Sequence, residues 1–247
     1  MTEDAAVPNA PTPQLPDDLD GAVSQALTAT RAALDAGYQR LQVEIQIPEI
    51  KFMPIAEQFL ALFADQGDAC KVLFPDAGAA ALARRDWGEV PCVLRSMFEQ
   101  QGKVQPDDEA FLIVNPSSVE VEKVESICNE AAGRPVVLLL PNLEDIATIG
   151  IGVAGRKLRE RFLSTLESCY FLKPLDGAAI FRCFPHPWQV WVEEDETYHL
   201  MAEFPRRPTA DMLEQLFAKS QGEVEPARPS GGGLFSNLKG FLRALNQ

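Results

Sequence analysis

Apolar positions along the chain change period repeatedly, and each change marks an element. Leu19, Val23, Ala26, Leu27, Thr30 and Leu34 recur at helical spacing, which predicts an amphipathic helix. Pro16-Asp17-Asp18 opens it with acidic residues at its positive end, and Gly37 closes it. Residues 40–47 then alternate Leu41, Val43, Ile45 and Ile47 with polar side chains, the pattern of a half-buried strand. Further on, helices are predicted over 54–63, 77–85, 117–132 and 156–168, and strands over 70–74, 109–115, 135–140 and 169–172. The run 135–140 is apolar throughout, as a strand covered on both faces requires. Beyond Gly177 the apolar runs 178–184, 188–192 and 197–203 follow one another with only turn signals between them, which predicts an antiparallel meander. Thr209 caps a last helix over 210–219. Together these predict a Rossmann-like three-layer α/β/α sheet with an added β-meander.

The flanks read differently. Residues 1–15 are rich in Ala, Pro and Thr and predict a disordered tail, leaving 16–219 as the α/β domain. Residues 220–233 carry prolines and three successive glycines and read as a flexible linker. Over 234–247, Leu234, Phe235, Leu238, Phe241, Leu242 and Leu245 form one helical stripe. So short a helix is marginal alone in water and needs a surface. Three surfaces compete for it: its own domain, a membrane interface and a groove on a partner. The long tether favours the latter two.

Charge narrows the partners. The formal net charge is −14, so nucleic acid and anionic lipid are repelled by the chain as a whole. The five cysteines, Cys70, Cys92, Cys128, Cys169 and Cys183, are scattered without a CxxC pair, and only His186 and His199 accompany them. That predicts reduced, buried thiols and no metal site. No signal peptide and no run long enough to span a bilayer is expected, so the predicted location is cytoplasmic.

Two motifs invite chemistry. Gly150, Gly152 and Gly155 spell GxGxxG, and Asp176 follows near the end of the next strand. A dinucleotide site needs these glycines directly after the first strand, whereas here they fall late and behind an insert at 141–149. They read better as a turn into a helix. Immediately after them Arg156, Lys157, Arg159 and Arg161 crowd together. In so acidic a chain this cluster fits either an anion or acidic-partner site, or a solvated face paired to Glu160 and Glu167. His186 lies between two prolines without a nucleophile pattern, and the acidic run 193–196 lacks calcium-loop spacing. No catalytic residue and no cofactor is assigned.

Several stretches nevertheless resemble one family. They are Pro16-Asp-Asp-Leu-Asp, Leu41-Gln-Val-Glu-Ile, Arg159-Glu-Arg-Phe-Leu, Tyr170-Phe-Leu-Lys-Pro-Leu and Pro187-Trp-Gln-Val-Trp. The likeness spans about residues 16–217 and is to a domain-of-unknown-function family of cyanobacteria and chloroplasts, which includes low-photosystem-II-accumulation-type assembly factors. It implies a stromal or cytoplasmic protein, in some members thylakoid-associated, that helps build the photosynthetic apparatus. Its implied partners are photosynthetic complex subunits or other assembly factors. The expected function is therefore a non-enzymatic assembly or scaffolding factor. The alternatives are an enzyme binding a nucleotide or phosphometabolite at loop 150–155, and a peripheral membrane protein acting through its tail.

Overall fold

The computed structural model describes residues 12–143, 153–195 and 197–222. Asp18 caps α1 (Leu19–Asp35), its carboxylate accepting from the Gly21 N–H at 2.7 Å. Gly37, at φ 88°, turns the chain into β1 (Arg40–Ile45). Next come α2 (Phe52–Phe59), β2 (Cys70–Phe74), α3 (Ala77–Asp86) and β3 (Val93–Ser96). They are followed by β4 (Ala110–Val114), α4 (Val121–Glu130) and β5 (Val136–Leu139). Ser117 and Glu120 form a capping box at the start of the turn leading into α4. α5 (Val153–Arg161) precedes β6 (Glu167–Leu175), β7 (Ala178–Cys183), β8 (Trp188–Glu194) and β9 (Thr197–Phe204). The last described helix is α6 (Ala210–Gly222).

The nine strands of the described residues form one sheet in the order β3-β2-β4-β5-β1-β6-β7-β8-β9. Strands β1 to β6 pair in parallel, and β6 to β9 continue as an antiparallel meander. The fold is thus α/β with an added meander. β1 lies between β5 and β6, so the order also differs from the 3-2-1-4-5-6 of two-halved dinucleotide folds.

Helices cover both faces. Residues of α1, α2 and α3 share a core with Leu41, Val43, Ile45, Val72 and Leu112. On the opposite face α4 and α5 pack over β4 and β5, while Leu213 and Phe217 of α6 pack over β6, β7 and β8.

Several boundaries differ from the sequence expectation. β3 was not predicted, because Val93-Leu94-Arg95-Ser96 is too short to show a period. The helix expected over 156–168 ends at Arg161, since Leu163–Thr165 tightens into a 3₁₀ turn and Ser168 already belongs to β6. α6 runs to Gly222, into the segment read as linker. Leu15 packs against the core although it falls in the segment read as tail. Residues 1–11, the rest of the linker and the whole stripe from Leu234 to Leu245 lie outside the described residues. Among those that are described, no helix is long and apolar enough to cross a membrane.

Candidate functional site

A strand in the middle of a parallel sheet is normally apolar on both faces. β1 is not. Leu41, Val43 and Ile45 enter the core beneath α1, so Gln42, Glu44 and then Gln46 project to the other face. There, no β1 side chain joins the cluster under α4 and α5 or the cluster under α6. A cleft of about 390 Å³ opens over this polar strip.

Three chain segments wall it. Pro141, Asn142 and Leu143 follow β5, and the backbone there is pinned: Leu140 N–H donates to Val43 O and Asn142 N–H to Pro116 O, both at 2.8 Å. Arg159, Leu163 and Ser164 come from α5 and the turn after it. Arg207 enters from the segment before α6. The cleft therefore sits at the carboxyl ends of β1 and β5, where open α/β sheets place their ligands.

Its electrostatics are mixed but lean positive. Glu44 is 8% exposed and accepts from Arg207 Nη1 at 3.4 Å and from Gln46 Nε2 at 3.3 Å. The Arg207 guanidinium is held over the Phe171 ring at 4.2 Å and near Trp188 at 5.6 Å, a cation–π seat that fixes its plane. Lys173 stands beside this pair. Burial and then Arg207 pull its ammonium below the ordinary lysine value, with Glu44 opposing. Among the described lining residues Glu44 is the one carboxylate, beside Arg207 and in the same cleft as Arg159. Planar guanidinium forks suit carboxylate or phosphate oxygens. Gln42, Gln46, Asn142 and Ser164 add neutral donors and acceptors. Among the described residues the lining holds no His or Cys to act as nucleophile or imidazole base.

The structure divides the predicted basic cluster. Leu158 and Phe162 turn α5 inward, and Gly155 is buried within it. Arg159 reaches the cleft. Arg161 does not: it makes a two-pronged bond to Glu125 of α4 at 2.9 and 2.8 Å, which raises its pKa further. Arg156 and Lys157 are exposed on the same helix. Glu167, one of the two acids weighed as partners for the cluster, bonds Arg182 at 2.7 Å. Gly150 and Gly152 lie outside the described residues.

Asp176 belongs to a turn. With Gly177 at φ 72° it forms the two-residue link between Leu175 and Ala178, which pair directly. His186 sits in the turn from β7 to β8, its N–H donating to Cys183 O at 3.0 Å. Among the described residues no three His, Cys, Asp or Glu side chains gather as a metal set.

Sequence reasoning passed over Gln42, Glu44, Gln46, Asn142, Ser164 and Arg207. The signal for the first three was present in the alternation of β1. It became informative only once β1 was known to be central.

A family model, domain of unknown function DUF1995, matches residues 16–215. The chain belongs to that family. The matched span takes in every strand of the sheet and all the residues that line the cleft. No solved structure matches the chain.

Proposed function

We propose that this Rossmann-like α/β/α protein is a non-enzymatic assembly or scaffolding factor whose cleft over β1 receives an acidic segment of a client protein. The observation that carries this reading is the polar strip Gln42, Glu44 and Gln46, left open between α5 and α6 and framed by Arg159 and Arg207. Two exposed guanidinium groups at the rim of a cleft suit Asp or Glu side chains of a partner. The family likeness in the sequence supplies the setting: the client is a subunit or assembly factor of photosynthetic complexes, and the tail beyond residue 233 carries the protein to a thylakoid surface or partner.

Co-purification from a photosynthetic host tests it. Arg159→Glu, and the charge-neutral pair Glu44→Gln with Arg207→Gln, should each reduce client recovery at least about tenfold, the equivalent of roughly 1.4 kcal/mol. Arg161→Gln, directed away from the cleft, should leave recovery unchanged. Equal recovery with all variants would remove the cleft from the function. The rival occupant is a small phosphorylated metabolite, favoured by the position of the cleft at the strand ends. Calorimetry of the same proteins against NAD, ATP and AMP separates the two: binding abolished by Arg159→Glu would replace the client reading.

A further inference from the structure

The five cysteines are scattered in sequence, yet the sheet brings two of them together. Cys70 opens β2, and Cys92 immediately precedes β3, its parallel neighbour. Lys71 is in register with Val93, so Cys70 and Cys92 face one another a step earlier. Adjacent strands stand about 4.8 Å apart, inside the roughly 4.4–6.8 Å between Cα atoms that a disulfide spans. Both side chains enter the core shared with α1, α2 and α3 and therefore point to the same face. The other cysteines are placed differently: Cys128 belongs to α4 across the sheet, Cys169 contacts Thr30 Oγ1 at 3.6 Å, and Cys183 is half-buried in β7.

We propose that Cys70 and Cys92 form a reversible thiol-oxidation site, closed to a disulfide by exchange with a small-molecule disulfide. Cys92 is the attacking sulfur. It is 6% exposed against 0% for Cys70, and it ends the connection from α3, which turns at Gly88 with φ 66°. The interaction with Cys92, then burial and the charges of Cys92 and Asp108, raise the Cys70 thiol pKa. The difference in exposure distinguishes the attacking thiol from the resolving one.

In the first step the Cys92 thiolate attacks one sulfur of R–S–S–R. A disulfide bond between Cys92 Sγ and that sulfur forms, the S–S bond of R–S–S–R breaks, and the departing R–S⁻ takes a proton from water. Cys70 then gives up its proton to solvent and attacks Cys92 Sγ, expelling the second R–S⁻, which is protonated in turn. Two protein thiols and one R–S–S–R become one protein disulfide and two R–SH, with two electrons passing from the protein to the small molecule. The product ties β3, the outermost strand on that side, covalently to β2.

The full-length protein incubated with oxidised glutathione and digested without reductant tests this. A linked peptide joining Cys70 to Cys92 should appear, vanish with dithiothreitol, and account for the loss of two alkylatable thiols. Cys70→Ser should stop the reaction at a glutathione adduct on Cys92. Cys92→Ser, with Cys92→Ala as a second variant should the first not fold, should leave Cys70 unmodified. Absence of the linked peptide, or a stable adduct on Cys92 in the unaltered protein, overturns the proposal. An adduct on Cys70 in the Cys92 variants overturns the order of attack.

Discussion

Lys71 lies inside the sheet with its side chain 7% exposed, and its environment accounts for each of its interactions. Its ammonium sits 2.8 Å from Asp108 Oδ2 and donates to Lys103 O at 2.7 Å. Asp108, equally buried, also accepts from the Gln105 N–H at 2.6 Å. The pair thus fastens the turn before β4 onto β2. Removing one member of a buried ion pair leaves the other charge desolvated and unmatched, at a cost of about 3–5 kcal/mol. Lys71→Met should therefore lower unfolding stability by roughly 3 kcal/mol in urea titration, although methionine suits a strand interior better than lysine does. An unchanged midpoint would show that the pair contributes nothing. In the sequence Lys71 is a lone polar residue in an apolar run, and its partner is invisible because it arrives from another strand's approach. Asp176 teaches the complementary lesson. An acid near a strand end can be read as a ribose ligand, but the Gly that follows it marks a hairpin turn.

Among the elements, legibility followed length and period. α1 and β1 announced themselves through a helical repeat and a clean alternation; the acidic opening at Asp17-Asp18 and the stop at Gly37 fall at the two ends of α1. β3 was silent, with four residues and only Val93 and Leu94 apolar. What holds it is local geometry rather than pattern. Met97 N–H donates to Phe74 O at 2.9 Å, and the chain then folds back so that buried Gly102 lies against the carbonyl of Ser96. A Cβ at Gly102 would stand 2.1 Å from that backbone oxygen, which no rotamer change can relieve. Gly102→Ala should cost about 2 kcal/mol, in the range of overpacked interiors. Hydrogen exchange should show the β3 amides losing protection before those of β4 and β5. Uniform protection across the three strands would argue that the return after β3 is soft. The candidate site was half legible for a related reason. The polar side of β1 was plain in the sequence, but whether it faced water or a cleft depended on strand order, and strand order is set by crossovers that no local pattern encodes. Of the basic cluster, Arg159 and Arg161 differ by two positions on one helix, enough to turn them to different surroundings.

At the scale of the whole molecule, local and global charge oppose each other. The chain carries −14 overall, while among the described residues the cleft presents Arg159 and Arg207 around one carboxylate, with Lys173 alongside. An acidic client segment is repelled at long range and attracted only on contact. The Debye length is about 30 Å at 0.01 M salt and about 8 Å at 0.15 M. Low salt therefore exposes the segment to the full negative field, and moderate salt removes that field while leaving contacts of a few ångströms largely intact. Binding of a glutamate-rich peptide to the full-length protein should accordingly tighten by several-fold as salt rises from 0.01 to 0.15 M, then weaken above about 0.5 M as contact pairs are screened in turn. Anisotropy titrations with a labelled peptide across that series measure the curve. With Arg159→Glu the maximum should disappear, because the short-range attraction that creates it has been reversed. A steady weakening from the lowest salt upward would mean that the cleft's cations outweigh the chain's net charge at every distance, and the opposition argued here would not exist.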